Sequence, residues 1–408
     1  RRRTLEHPCP RDHVTKDTGV AIHSDALAGK RVLLAISGGI ASVESIRLTR
    51  ELRRHQAELT VVMSDEATKI VTPLAVSWGA DTEVHLGWNS EMSQLADFDI
   101  VLIAPATRNT IAKHIHGIID SPLLMALSAT RGRGSKLVFV PSMHNDLFDD
   151  PVTSNLIEDL RNEGSHVILN EIEEGKLKQP DPVSIVASLC HIANNNQNSK
   201  TVAITLGANR APVDAVRAIQ NASSGRTGWL ISEYLYRMGH DVICIVGKTS
   251  ARPTFALPTV YRDGTPDGML SVCRTVAKRD TPDVWIHAAA VLDYFTEPET
   301  GKKPSGADEW VLRLKPGKKH IKELLGLASD SIRVGFKLET NVDESTLINR
   351  AKQQIQTYGV DAVVANIFEE MNDTNSLRAR IVHSDGRVER ITTDMDLAKS
   401  ICMLINNK

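Results

Sequence analysis

The chain has 408 residues, too many for one ordinary core, and its length suggests two or three domains. Its 48 Lys and Arg nearly cancel its 50 Asp and Glu, and the formal charge of −2 argues against a general nucleic-acid or membrane-surface binder. Hydrophobic residues make up 41% and aromatics only 4%, so aliphatic side chains must fill the cores.

Residues 1–29 lack periodicity and read as an arm. From Lys30 the pattern becomes regular. Arg31–Ile36 is a short apolar run that ends in Ser37-Gly38-Gly39, as expected of a buried parallel strand. Ile40 to His55 follows at helical spacing. Further strands are expected at Leu59–Met63, Ile100–Ala104 and Leu137–Val140, with helices near Thr107–Gly117 and Pro151–Glu163. This alternation implies βαβ units around a mostly parallel sheet. Asn194–Ser199, six polar residues in a row, reads as a linker or exposed loop.

The alternation then restarts. Strands are expected at Thr201–Thr205, Val242–Val246, Val284–Ala288, Val334–Phe336 and Ala362–Ala365, and helices at Gly225–Met238 and Glu344–Tyr358. Leu377–His383 and Val388–Thr392 flank Ser384-Asp385-Gly386, a hairpin signal, and Asp394 is expected to cap a last helix. The fold class is therefore α/β, with an arm (1–29), a first domain (30–193), a linker (194–199) and a second domain (200–408).

The five cysteines are scattered without C-x-x-C spacing, so neither a zinc site nor a disulfide framework is expected, and a reducing cytoplasm is the simplest home. No apolar run approaches the roughly 18–20 residues of a membrane span, and Arg1-Arg2-Arg3 precedes no apolar signal segment.

Three turns in the first half carry chemistry. Ser37-Gly38-Gly39-Ile40-Ala41 joins a strand to a helix, and its two glycines permit close backbone approach to a phosphate. It is not G-x-G-x-x-G, and no acidic ribose clamp closes the second strand, so a mononucleotide such as FMN suits it better than a dinucleotide. Pro105–Thr110 and Pro141–His144 end two further strands at the same sheet edge. Together the three turns resemble the homo-oligomeric flavin-containing cysteine decarboxylases, whose S-G-G-I-A, P-A-T-A-N-T and P-A-M-[NH] segments surround FMN and the substrate amide. The resemblance implies a flavodoxin-like domain. In it Ser37, Gly38, Gly39, Ile40, Ser64, Thr107, Met143 and His144 would hold FMN, with Asn109 in the catalytic set. The place of the family's catalytic histidine, counted back from Asp99, falls on Glu91; His85 is the nearest histidine. The substrate-covering loop reads Glu173-Glu174-Gly175-Lys176-Leu177-Lys178, without the bacterial cysteine, and is similar to archaeal relatives.

In the second half, Asn221-Ala222-Ser223-Ser224-Gly225-Arg226-Thr227-Gly228 joins a strand to a helix with small and hydroxyl side chains, a cradle for an anion. His287–Tyr294, Gly301–Gly306, Val334–Thr340 and Ala365-Asn366-Ile367 follow in order. This series resembles phosphopantothenate–cysteine ligases, with a Rossmann-like α/β domain. It implies that Asn221 and Lys303 are catalytic. Ser223, Ser224, Gly225, His287, Ala288, Ala289, Asp293, Lys303, Lys318, Phe336 and Lys352 would bind nucleotide, with Asp293 also on Mg²⁺. The helix after Thr340 offers Arg350 and Lys352, while Gln354 and Tyr358 stand where bacterial relatives have lysines.

Decarboxylase before ligase is the order of bifunctional proteins of coenzyme A biosynthesis. That order implies CTP-dependent joining of 4′-phosphopantothenate to L-cysteine through an acyl-cytidylate, then FMN-dependent decarboxylation to 4′-phosphopantetheine. It also implies a dodecamer of flavin-domain trimers and ligase-domain dimers, while the charge balance and the lack of a long apolar run leave no nucleic-acid or membrane partner expected. The alternative is a ligase whose first domain is only an FMN-binding scaffold, a reading that Glu91 in the histidine place suggests.

Overall fold

Short apolar runs bounded by turn residues form the buried strands of this protein, seen in a computed structural model that describes residues 19–88, 92, 95–306, 309–371, 373 and 376–407. The chain divides into two units, Arg1–Ala193 and Asn194–Lys408.

In the first unit β1 (Arg31–Ile36), β2 (Glu58–Met63), β3 (Val84–His85), β4 (Ile100–Ala106), β5 (Lys136–Pro141) and β6 (His166–Val167) form one sheet in the order β3-β2-β1-β4-β5-β6. Every pairing is parallel. Without the two-residue edge strand β3 this is the flavodoxin-type order, with its switch point between β1 and β4. β4 is buried along its whole length, and its inner face packs with Leu33, Phe139, Leu127 and Leu160 in one aliphatic core.

The helix expected over Ile40–His55 is divided. Gly39 offers no side chain to cap it, so Ile40–Glu44 winds as a 3-10 turn before α1 (Ser45–Arg54) begins. Thr107 caps α2 (Arg108–Ile115) by accepting the Thr110 N–H at 3.3 Å.

The second unit has eight strands: β7 (Thr201–Leu206), β8 (Asp241–Val246), β9 (Thr259–Arg262), β10 (Val284–His287), β11 (Ile332–Glu339), β12 (Ala362–Ile367), β13 (Ala379–His383) and β14 (Val388–Ile391). Their order is β9-β8-β7-β10-β11-β12-β13-β14, parallel as far as β12. The first six follow the dinucleotide-type order 3-2-1-4-5-6, and β13–β14 is the expected antiparallel hairpin. β11 runs past Phe336 to Glu339 because β12 pairs with it as far as Ile367.

Helices α3 (Arg226–Arg237) and α4 (Glu344–Tyr358) cover the sheet, and α5 (Asp394–Asn406) ends the chain. The α5 cap is Thr393 rather than Asp394. Thr393 accepts the Asp396 N–H, and the Asp396 carboxylate accepts the Thr393 N–H in return, a capping box.

Within Asn194–Ser199, residues 195–198 are exposed, as a linker or loop would be, but its first two side chains are tied down. Asn194 Nδ2 donates to the Arg237 carbonyl (2.8 Å) and Asn195 Nδ2 to the Gly239 carbonyl (2.9 Å). These amides satisfy carbonyls left open at the end of α3, which is why the run is polar yet ordered.

Candidate active sites

At the switch point of the first unit, Ser37 joins two turns. Its hydroxyl donates to the Pro105 carbonyl (2.8 Å) and accepts the Thr107 N–H (2.9 Å). Ser37 is buried and its one hydroxyl proton is engaged by the Pro105 carbonyl, so its side chain holds the two turns in position. Gly38 has no room for a side chain, since a Cβ would lie 2.3 Å from the Glu66 Cβ at the helix Asp65–Thr68. Gly39 has slightly more space, with the Thr107 methyl 3.4 Å from its would-be Cβ. Ile40 is 77% exposed. Ser64 caps the helix Asp65–Thr68 through the Ala67 N–H, and Asn109 is exposed in the first turn of α2.

The third turn is a short strand, Met143–His144, paired with Lys176–Leu177, which pairs in turn with Ile172–Glu173. The Glu173–Lys178 loop is thereby a hairpin beside the third turn, with Glu174 and Gly175 both at positive φ. Lys178 pairs with Glu173 (3.2 Å) and Glu174 (2.9 Å) across it. His144 is exposed, and its Nδ1 caps the helix Asn145–Phe148 and faces Asp146 at 3.1 Å. Arg108 pairs with Asp150 at 2.7 Å. Glu91 lies outside the described residues, while His85 ends β3 beside Val62.

The second unit opens at the carboxyl ends of β7, β10, β11 and β12 into a cavity of about 1170 Å³. One wall is the turn that begins α3. Gly225 has φ +78°, and its would-be Cβ lies 2.5 Å from the Thr249 methyl. At Gly228 a Cβ would sit 2.3 Å from the Leu206 Cβ, so glycine there lets α3 lie directly on β7. Asn221 is fixed on both sides. Its Nδ2 donates to the Ala290 carbonyl (3.0 Å) and its N–H to the Asn209 carbonyl (3.4 Å). Asn209, fully buried, accepts the Leu292 N–H and donates to the Gly264 carbonyl, a hub the sequence did not signal.

Ser223, Ser224, Gly225, His287, Ala288, Ala289, Asp293 and Phe336 all line this cavity. Three expected lysines do not. The Lys303 ammonium rests 4.9 Å from the centre of the Trp310 ring, and the Lys303 backbone N–H donates to the Asp214 carboxylate (3.2 Å). Lys318 is exposed outside the lining, and its neighbour Lys319 takes the place, paired with Asp293 at 2.5 Å. Lys352 is exposed off the cavity-facing side of α4. That side carries Arg350, Gln353, Gln354, Thr357 and Tyr358, one face at helical spacing.

Electrostatics divide the cavity. Burial alone would raise the Glu339 carboxyl, yet Lys337 (3.0 Å) and Arg350 hold it below its ordinary value. His287, 8% exposed, stacks on Trp285 with ring centres 6.0 Å apart. Burial pushes its pKa down to about 3, with Arg333 and His320 adding to the effect, so it is neutral at ordinary pH. Asp293 faces an ammonium rather than further carboxylates, and no group of three or more His, Cys, Asp or Glu suited to a cation occurs among the described residues.

Residues 20–194 match the Flavoprotein family, and residues 197–407 match the DNA/pantothenate metabolism flavoprotein C-terminal domain. The coenzyme A biosynthesis bifunctional protein CoaBC of Thermococcus kodakarensis is 36% identical over 359 residues, covering 86% of this chain and 88% of that protein. Its counterpart from Methanocaldococcus jannaschii is 32% identical over 84% of this chain and 85% of its own length. Among solved structures, the DNA/pantothenate metabolism flavoprotein of Streptococcus pneumoniae is 21% identical with a TM-score of 0.47, covering 51% of this chain and 99% of that one. The two ordered family matches and the near full-length relatives place this chain in the family of bifunctional coenzyme A biosynthesis proteins.

Proposed function

We propose that the second unit joins 4′-phosphopantothenate to L-cysteine at the expense of CTP, and that the first unit decarboxylates the product with FMN to give 4′-phosphopantetheine. The observation that carries the reading is the glycine-shaped turn at the start of α3, opening onto a cavity walled by Asn221, Lys319 and Phe336. The full-length relatives support both activities together rather than a ligase with an idle first unit.

In the ligase step a carboxylate oxygen of 4′-phosphopantothenate bonds to the α-phosphorus of CTP as pyrophosphate leaves. The cysteine amine then bonds to the acyl carbon and CMP leaves. The N–H groups of Thr227 and Gly228 in the first turn of α3 and the Lys319 ammonium would balance phosphate charge. Asn221, clamped through Nδ2, would present its Oδ1 to the acyl group. No cage of three or more His, Cys, Asp or Glu ligands surrounds Asp293 among the described residues, so Mg²⁺ would come with the triphosphate as substrate, with Asp293 as its one protein carboxylate.

The first unit fits FMN. The Ser37–Thr107 bridge holds two backbone turns together at the switch point, and Gly38 leaves its turn pressed on the helix after β2. When bound, FMN supplies a reversible hydride acceptor for the cysteinyl thiol. Thr107, Met143 and His144 would border it, Asn109 would hold the substrate amide and Glu91 would stand in the proton-handling place.

We place the protein in the cytoplasm, as a homo-oligomer built from flavin-domain trimers and ligase-domain dimers. Four described cysteines are buried thiols, and no described helix is long and apolar enough to cross a membrane. Ile40, Leu74 and Trp78 offer exposed apolar surface on the first unit.

The test supplies 4′-phosphopantothenate, cysteine and CTP and follows pyrophosphate and CO₂ separately, with visible absorbance reporting flavin. Both products are expected; pyrophosphate without CO₂ would establish the ligase-only alternative. Asn221→Asp should accumulate the acyl-cytidylate, and normal turnover would reject its assignment.

A further inference from the structure

Arg378, between β12 and β13, makes contacts unlike those of an ordinary surface arginine. Its Nε donates to Asp394 Oδ1 (2.5 Å), its Nη1 to Asn366 Oδ1 (3.3 Å) and its Nη2 to Thr227 Oγ1 (2.7 Å). One planar fork thus ties the first turn of α3, the end of β12 and the first turn of α5. The side chain is 13% exposed and does not line the cavity, whereas Asn366 and Thr227 both do. Asp394 also accepts from Arg226 at 3.0 Å.

We propose that Arg378 is a positioning residue for the ligase site, acting through Asn366 and Asp394. A guanidinium only donates, so the Asn366 amide must turn its oxygen toward Arg378. The Nδ2 amino group is thereby left on the cavity side, where it can donate to an anionic oxygen of the nucleotide or acyl phosphate. Without Arg378 the amide is free to rotate by 180°, which would set its oxygen against those anions. The same guanidinium offsets the Asp394 carboxylate, which lies beside the helix terminus that would hold phosphate and would otherwise weaken its pull. Lysine is no substitute, because a point ammonium cannot serve three partners in one plane.

The inference rests on the nucleotide reading of this cavity, and the experiment separates the two. Pyrophosphate release by the full chain is measured at varied CTP for wild type, Arg378→Gln, Arg378→Lys, Asn366→Ala and the two double variants, with CTP-induced shifts in melting temperature alongside. Arg378→Gln should lower kcat/KM for CTP by about 10- to 100-fold, the usual cost of a group displaced by a fraction of an ångström to an ångström. On the Asn366→Ala background the same change should cost much less, since the group it orients is gone. Arg378→Lys, which keeps the charge beside Asp394, should fall between Arg378→Gln and wild type and carries the cycle if the Gln variant does not fold. Losses that multiply across the double variants, or a Gln variant with wild-type kcat/KM, would overturn the positioning role. A wild-type chain that neither releases pyrophosphate nor is stabilised by CTP would instead overturn the nucleotide reading and the inference with it.

Discussion

His287 shows how burial decides what a residue can do. The sequence places a histidine at the end of a strand and leaves its charge open. Enclosed between Trp285, His320 and the buried Arg333, it is held neutral with a pKa near 3. A group that binds fewer protons folded than unfolded costs stability as pH falls. The contribution is complete above the unfolded value of 6.5 and drains away between 6.5 and about 3, by about 1.4 kcal/mol for each pH unit. His320 is lowered in the same direction, burial again being the main cause, so the two act together. Replacing His287 by Asn should flatten the fall in melting temperature of the second unit between pH 7.5 and 5 without abolishing it. Equal slopes for variant and wild type would show that the imidazole is not kept neutral by the fold.

Elements explain which parts of the sites were readable beforehand. Turns were legible because their chemistry is local: Gly225 and Gly228 are small for reasons that the strand-turn-helix pattern already states. Gly228→Ala tests this directly. The new methyl would overlap Leu206, and overpacking of this kind costs about 1–3 kcal/mol by pushing a helix off its strand. It should lower both the melting temperature and nucleotide affinity, and a neutral outcome would show that α3 does not need that contact. Lysines were not legible, because a charge run does not reveal which way its members point. Lys303 found the face of Trp310, seven residues on, and Lys319 rather than Lys318 met Asp293. Lys352 could have been excluded from helical spacing alone, since it lies two residues from Arg350 and off the face that continues through Gln354 and Tyr358. Arg378 and Asn209 left no signal, for their partners are distant in sequence and only the sheet order brings them together.

At the scale of the whole chain, two units carry consecutive reactions, the product of the second being the substrate of the first. Each has its own sheet, its own switch point and its own glycine-shaped turn. A change confined to one turn should therefore silence one reaction and leave the other intact. Gly38→Ala is suited to this, because its Cβ would collide with Glu66 inside the first unit and push away the turn meant for FMN. The expected protein is colourless, releases pyrophosphate from CTP at the wild-type rate and produces no CO₂. The acyl-cysteine amide that links the two reactions should accumulate in proportion to the pyrophosphate. Loss of pyrophosphate release along with the flavin would mean that the ligase site depends on the first unit. Retention of flavin and CO₂ would mean that the turn after β1 does not hold the cofactor.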